Sequence, residues 1–266
     1  MGGLSQSYPT AVVTGASSGL GLAFTRMLLE EGIRVIGLSR QPDVLPDEPS
    51  YIPVACDLSK TGSVEATLEQ IIEEHSSLRL VINNAGFGIL ESLSEMDAGD
   101  IERQYAVMLE APTIIASKAT GYFKQVGAGC LVNVSSLAVE LPLPLMPVYN
   151  ASKAGLSALS ESLILDEVDG RFQVIDFRPG DFNTSFAERM EGELLWNGVN
   201  LREVMDRHHA VAPDASLATA ALRRALVRNR SGIVRVGDFF QSRIAPWGRL
   251  LPRAWLRGII RGYYKK

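Results

Sequence analysis

The sequence predicts an α/β fold: one doubly wound, parallel sheet of about seven strands with helices on both faces. Three observations carry this expectation. Short β-rich runs alternate with longer helical patterns along the 266 residues. The runs are continuously apolar rather than alternating, as strands covered on both faces require. The turn after the first run is rich in glycine and opens directly into a helical pattern.

The elements follow in order. "TAVVT" (10–14), "RVIGL" (34–38), "YIPVA" (51–55), "RLVIN" (79–83), "CLVNV" (130–134), "QVIDF" (173–177) and "IVRVG" (233–237) read as strands. Helices are expected at about 19–31, 60–76, 97–126, 149–168 and 214–229. Strand–helix alternation of this kind gives right-handed crossovers and a parallel sheet. No linker, low-complexity stretch or repeat divides the chain, so residues 1–242 are expected to form one domain and 243–266 a tail. Residues 182–211 interrupt the alternation and are long for an α/β connection, which marks them as a candidate substrate lid.

Composition excludes several classes. A net charge of -4 lacks the basic footprint of a nucleic-acid binder, so no nucleic-acid partner is expected. Cys56 and Cys130 sit at the edges of apolar runs and read as buried thiols rather than a disulfide or metal site. "MGGLSQSYPT" has neither a basic n-region nor an apolar h-region, so no signal peptide is expected. It loosely fits a myristoylation pattern, but a disordered leader is the expected reading. No run of 18 apolar residues occurs, and the expected location is the cytoplasm.

"VVTGASSGLG" carries the first chemistry. Gly15, Gly19 and Gly21 follow GxxxGxG spacing between a strand and a helix, which defines a Rossmann-type nucleotide turn. One glycine makes the tight turn and another admits a pyrophosphate. The last lets helix and strand pack closely, and the helix N-terminus receives the phosphate. At the end of the second strand, where an acidic residue would bind both ribose hydroxyls, stand Ser39 and Arg40. A guanidinium suits a 2′-phosphate, so NADP(H) is expected over NAD(H).

At this point the chain resembles a family. "TGASSGLG" (14–21), "CDL" (56–58), "NNAG" (83–86), "NVSS" (133–136), "YNASK" (149–153) and "PGDFNT" (179–184) stand in the order and spacing of the classical short-chain dehydrogenases/reductases. The resemblance covers roughly residues 8–238. It implies that Tyr149 gives or takes the proton at a carbonyl oxygen. Lys153, one helical turn on, would lower the phenol's pKa and hold the nicotinamide ribose. Ser136, 13 residues before Tyr149, would polarise the carbonyl in preference to its neighbour Ser135. The same mapping gives the remaining cofactor contacts: Ser17, Ser18 and Leu20 in the turn, and Asp57 and Leu58 beside the adenine. Asn83, Ala85 and Gly86 would lie along the central strand end, and Pro179, Gly180, Phe182 and Thr184 would edge the nicotinamide. "NNAG" also reads as a structural turn.

One departure stands out. The family commonly places an asparagine in the helix after "NNAG", where it holds a water that relays protons to the lysine. Here "YAVMLEAPT" puts Met108 at that position, and a thioether replaces neither the amide's donor nor its acceptor. Another group supplies the relay, or proton transfer is impaired, or the alignment is shifted.

The loop "LAVELPLPLMPV" between Ser136 and Tyr149 has only Glu140 charged. With Phe182, Phe186, Met190, Leu194, Leu195 and Trp196 of the lid, it implies a lipophilic carbonyl or alcohol substrate. His208 and His209 have no ligand partners at useful spacing, so no metal is expected. From Arg243 onward there are seven basic residues and no acidic one. A helix starting at Pro252 would gather Trp255, Leu256, Ile259, Ile260 and Tyr263 on one face, with Arg253, Arg257 and Arg261 roughly opposite. That pattern fits a peripheral membrane-surface contact, or a helix docked on its own domain or on a second copy. The resemblance further implies a homodimer or homotetramer.

Together these features predict an NADPH-dependent oxidoreductase acting on a lipophilic carbonyl or the matching alcohol. The alternatives are a 3-oxoacyl-thioester reductase and a nucleotide-binding sensor or scaffold without turnover.

Overall fold

The computed structural model describes residues 3–188, 190–192, 195–196, 199–238 and 252–263. Its elements are α1 (Leu4–Ser7), β1 (Thr10–Thr14), α2 (Gly19–Glu30), β2 (Arg34–Ser39), β3 (Tyr51–Ala55), α3 (Thr61–Glu74) and β4 (Leu78–Asn83). There follow α4 (Ala98–Tyr105), α5 (Ala111–Val126), β5 (Cys130–Val134), α6 (Pro147–Asp166), β6 (Gln173–Pro179), α7 (Ser185–Glu188), β7 (Leu195–Trp196) and β8 (Val199–Asn200). The last are α8 (Leu201–Ala210), α9 (Ala215–Arg228), β9 (Gly232–Val236) and α10 (Arg253–Tyr263).

Seven strands form one parallel sheet in the order β3-β2-β1-β4-β5-β6-β9. Alternate residues of each strand feed opposite layers. Val13, Val35, Ile82, Val132 and Phe177 pack with Phe24 and Leu28 of α2 and Leu222 and Leu226 of α9. Val12, Ile36, Val81, Leu131 and Val174 pack with Leu68 of α3 and Ile115, Ala119 and Phe123 of α5. Both strand faces are apolar because both are covered. The order reverses between β1 and β4, which puts a crevice at the carboxyl ends of the central strands.

The structure departs from expectation at two places. The expected leader is ordered: Leu4 and Tyr8 are buried, and the Tyr8 hydroxyl bonds Asn229 Oδ1 at 3.1 Å. The helix expected at 97–126 is interrupted by a π-helical turn, Ala106–Glu110, where the Ala111 N–H bonds the Ala106 carbonyl. A π-turn widens the helix by one residue and is frequent at functional sites. The 182–211 segment, the candidate lid, is built around α7, the two short antiparallel strands β7 and β8, and α8. Cys56 and Cys130 are both free and buried.

Candidate active site

The glycine turn leaves β1 with two residues in left-handed backbone, Gly15 (φ +67°) and Gly19 (φ +53°). A Cβ on Gly15 would lie 3.0 Å from the Ala85 Cα. Gly21 does a different job. A Cβ there would lie 2.1 Å from the Gly15 carbonyl oxygen, so its bare Cα lets α2 close onto the turn. The Thr14 hydroxyl accepts from the Asn84 and Ala85 amides at 2.9 and 3.0 Å, and Asn84 Nδ2 returns a bond to the Thr14 carbonyl at 3.0 Å. These bonds fix "NNAG" against β1.

One cavity of about 1820 Å³ runs from this turn to the lid. Of the expected cofactor contacts, Gly15, Ser17, Ser18, Gly19, Leu20, Arg40, Asp57, Leu58, Ala85, Gly86, Pro179, Gly180, Phe182 and Thr184 line it. Gly21 and Asn83 do not. Asn83 is buried, and its amide donates to the Pro112 carbonyl at 3.0 Å and Asn133 Oδ1 at 2.9 Å. Asn133 passes the chain on to Ser160 Oγ at 2.9 Å. Asn83 thus bridges β4, β5 and α5, while its neighbour Asn84 faces the cavity.

The cavity fits a dinucleotide on its own features. Its turn is a backbone cradle that a Cβ would fill, at the N-terminus of the 12-residue α2. At the end of β2, the Ser39 hydroxyl lines the cavity, is buried and has no hydrogen-bond partner in the protein. A ligand seated there would complete it. Arg40 stands exposed beside it. The Asp57 carboxyl is held below its ordinary range, chiefly by bonds from the Ser59 hydroxyl and amide, with Lys60 and Arg40 adding to the effect.

The three expected catalytic residues meet at the far end of the crevice. Ser136 follows β5 and caps a short 3-10 turn, Leu137–Val139, its Oγ accepting from the Ala138 amide at 3.0 Å. Tyr149 and Lys153 lie one turn apart on the buried face of α6, which begins with Pro147 in the first turn, where no donor is lost. Lys153 Nζ donates to the Val134 carbonyl at 2.8 Å and lies 6.0 Å from the Tyr149 ring centre. The hydroxyl of Ser135 is committed elsewhere, to Asp176. This separates the two serines.

Burial dominates the acid–base character of the pair. Desolvation pushes the Tyr149 phenol up to about 12, against a hydrogen bond with Ser136 and with a further push from the Asp181 carboxylate. Desolvation likewise pulls Lys153 down to about 8, opposed by Asp176. The lysine's charge, expected to lower the phenol's pKa, is not among the causes of the shift, whose direction is set by burial.

Behind the site lies a buried ionic network. Asp176 accepts from Ser135, from Ser157 at 2.7 Å and from Arg178 Nε at 2.8 Å. Arg178 Nη1 reaches Glu140 at 2.6 Å, and Arg235 Nε joins the same oxygen at 2.7 Å. Glu140, the sole charge in the apolar loop, is therefore pinned away from the cavity.

Around Tyr149 the wall is apolar: Leu141, Leu143, Phe186, Met190, Met205 and Ile260 line the cavity. The Phe186 ring centre lies 6.1 Å from that of Tyr149. Met108 is fully buried in the π-turn, and its Cε and the Lys153 Nζ flank Gly86, 3.8 and 3.5 Å from where a Cβ would stand. Met108 thus sits beside the lysine's tip, where the alignment put it. Leu194, and the side chains of Leu195, Trp196, His208 and His209, lie outside the described residues. Sequence reasoning missed Asn84, Asp181, Met205 and Leu256 as cavity residues. Asp181 and Asn84 adjoin recognised motifs and were within reach; Leu256 was read as part of the tail's apolar face but not as a cavity residue, and Met205 carries no local signal.

The sheet order and the crevice at its carboxyl ends are those of a Rossmann-type nucleotide fold, and comparison with known proteins agrees. A family model described as short chain dehydrogenase matches residues 9–194, and the chain belongs to that family. A 3-ketodihydrosphingosine reductase from Bacteroides thetaiotaomicron is 32% identical over 177 residues, 66% of this chain and 65% of its own length. The match thus spans slightly less than two thirds of that relative. Among solved structures, a short-chain dehydrogenase from Streptomyces avermitilis superposes with a TM-score of 0.79 at 23% identity, covering 98% of this chain and 97% of its own. One from Burkholderia cenocepacia, in complex with NADP, gives 0.75 at 22% identity, with 96% and 98% covered.

Proposed function

We propose that the chain is an NADPH-dependent reductase of ketones on lipophilic substrates. The observation that carries this is the buried Tyr149 phenol beside Ser136, at the foot of an apolar cavity that continues into a nucleotide crevice. A phenol there can give a carbonyl oxygen its proton on reduction or take it back on oxidation.

The bound cofactor supplies a hydride to the carbonyl carbon. The protein's residues act on the oxygen. The Ser136 hydroxyl donates a hydrogen bond to it and holds it against Tyr149. The phenol then transfers its proton to the same oxygen, and the alcohol is complete. Lys153 lies close enough to offset the negative charge left on the tyrosine, and Asp176 supports the ammonium. Phe186 and Met190 line the cavity beside Tyr149 and offer the substrate an apolar wall.

Arg40 and the orphaned Ser39 hydroxyl at the end of β2 favour a cofactor with a 2′-phosphate, and the Burkholderia structure is an NADP complex. The apolar wall, and the name of the Bacteroides relative, favour a lipophilic ketone. The reading includes a cytoplasmic homodimer or homotetramer, measurable by light scattering. No helix among the described residues is long and apolar enough to cross a membrane. A screen of apolar ketones and acyl thioesters with NADPH and NADH, scored by cofactor oxidation, tests the reading. Turnover of a long-chain ketone with NADPH is expected; turnover of thioesters alone, or none at all, would refute it.

A further inference from the structure

The helix α10 has three different sides. Successive residues turn by about 100°, so Leu256 and Ile260 share one sector, Trp255 and Ile259 a second, and Arg257 and Arg261 a third. Leu256 is buried, and Ile260 packs on the cluster that contains Tyr149, Met190 and Leu201. The tail is therefore docked on its own domain, as a wall of the cavity. That docking leaves the apolar face expected from the sequence only half used. Trp255 remains 69% exposed and Ile259 52% exposed.

Ile259 is the informative residue, because it lines the cavity and faces solvent together. It marks a mouth at which the apolar interior meets an apolar outer stripe. Charge says what covers that stripe. Residues 243–266 carry seven basic side chains and no acidic one, while the whole chain is at -4, so the first 242 residues carry -11. An anionic surface attracts the tail and repels the body, which orients the molecule with α10 foremost. An aromatic beside an aliphatic residue, with arginines around the helix, is the composition of an interfacial helix.

We propose that α10 docks Trp255 and Ile259 into an anionic lipid surface, so that the mouth bordered by Ile259 opens onto the bilayer and the substrate enters from it. The substrate part rests on the lipophilic-ketone reading given above; the docking part does not. A lipophilic ketone partitions into membrane, and a mouth placed there spares it the passage through water.

The full chain is sedimented with phosphatidylcholine vesicles, with and without phosphatidylglycerol. Binding is expected only with phosphatidylglycerol, and it is lost in high salt. Trp255→Ser, outside the cavity lining, is expected to weaken binding about tenfold. It should lower turnover of a vesicle-borne long-chain ketone in parallel, with turnover of a short water-soluble ketone unchanged. Arg261→Glu should weaken binding through charge alone and guards against misfolding of the first variant. Equal binding of wild type and Trp255→Ser, or no binding by wild type, overturns the proposal. So does conversion of a dimer to a monomer by Trp255→Ser, because the stripe's occupant is then a second copy. Vesicle binding is read without substrate, so failure of the ketone screen leaves it standing.

Discussion

Lys153 ties the two halves of the catalytic site together: its Nζ donates to the carbonyl of Val134, 2.8 Å away, at the end of the strand that leads to Ser136. The lysine stands on α6 with Tyr149, so this bond ties the helix carrying Tyr149 to the strand end that leads to Ser136. It also leaves the ammonium buried with few partners, which is the origin of its depressed pKa.

That depression has a testable sign. Lys153 titrates at about 8 in the folded chain and ordinarily at 10.5, so the unfolded chain binds more protons between these values. Stability contributed by this group therefore rises with pH through that window, and its cost is fully present below pH about 8. Tyr149 and Cys130, both pushed up to about 12 by burial, pull the other way above their ordinary values of 10.0 and 9.0. Urea midpoints of wild type and Lys153→Met, compared from pH 7 to 10.5, isolate the lysine. Wild type is expected to gain on the variant as pH rises, and a constant difference would contradict the assignment.

Tyr149→Phe removes the proton and keeps the ring. Turnover should fall by about 10² to 10⁴-fold, the range of general acid catalysis. NADPH binding, followed by cofactor fluorescence, should be retained.

Arg40→Ala should cost the phosphate-bearing cofactor alone. A charge-assisted hydrogen bond is worth about 1.5–3 kcal/mol, so kcat/KM for NADPH is expected to drop by about one to two orders of magnitude. NADH efficiency should stay level. Equal losses with both cofactors would show that Arg40 only shapes the loop.

Arg178→Met strips the shared partner from Asp176 and Glu140, which are both buried. Breaking a buried ion pair from one side costs about 3–5 kcal/mol, read as a lowered urea midpoint. Asp176 also supports the charge on Lys153, so the pH profile of turnover should move with it.

Met108→Leu tests whether the thioether matters beside the lysine. The swap conserves volume in a fully buried site and should cost less than about 1.5 kcal/mol. Turnover is expected to stay within about twofold, because the π-turn belongs to the backbone. A large loss would give Met108 a part in proton transfer.

Local pattern carried most of the fold. Each sheet strand was legible as a continuous apolar run, and the glycine turn and the Tyr149–Lys153 pair were legible from spacing. What escaped depends on contacts between distant residues. Nothing near Asn83 distinguishes it from Asn84, yet the first is bonded inside the sheet while the second, tied to Thr14, lines the cavity. The π-turn at 106–110 interrupts a segment whose residues read as one helix. The amphipathic tail showed its apolar face in sequence, but its division between cavity and solvent follows from where α10 lands. The direction of the Tyr149 shift belongs here too: sequence shows the neighbouring lysine and hides the burial that raises the phenol.

Part of the wall over the cavity is one insert between β6 and α9. The Asn183 amide bonds the Pro213 carbonyl at 3.0 Å where the insert leaves and rejoins the scaffold, and Glu191 ties its middle down by exchanging backbone bonds with Gly88 and Leu90. Closing a loop costs only about 0.6 kcal/mol more for each doubling of its length, so the intervening segment can be lengthened, shortened or exchanged while the sheet keeps its register. Under the proposed function, what the cavity accepts can therefore change with the insert while Ser136, Tyr149 and Lys153 stay where they are.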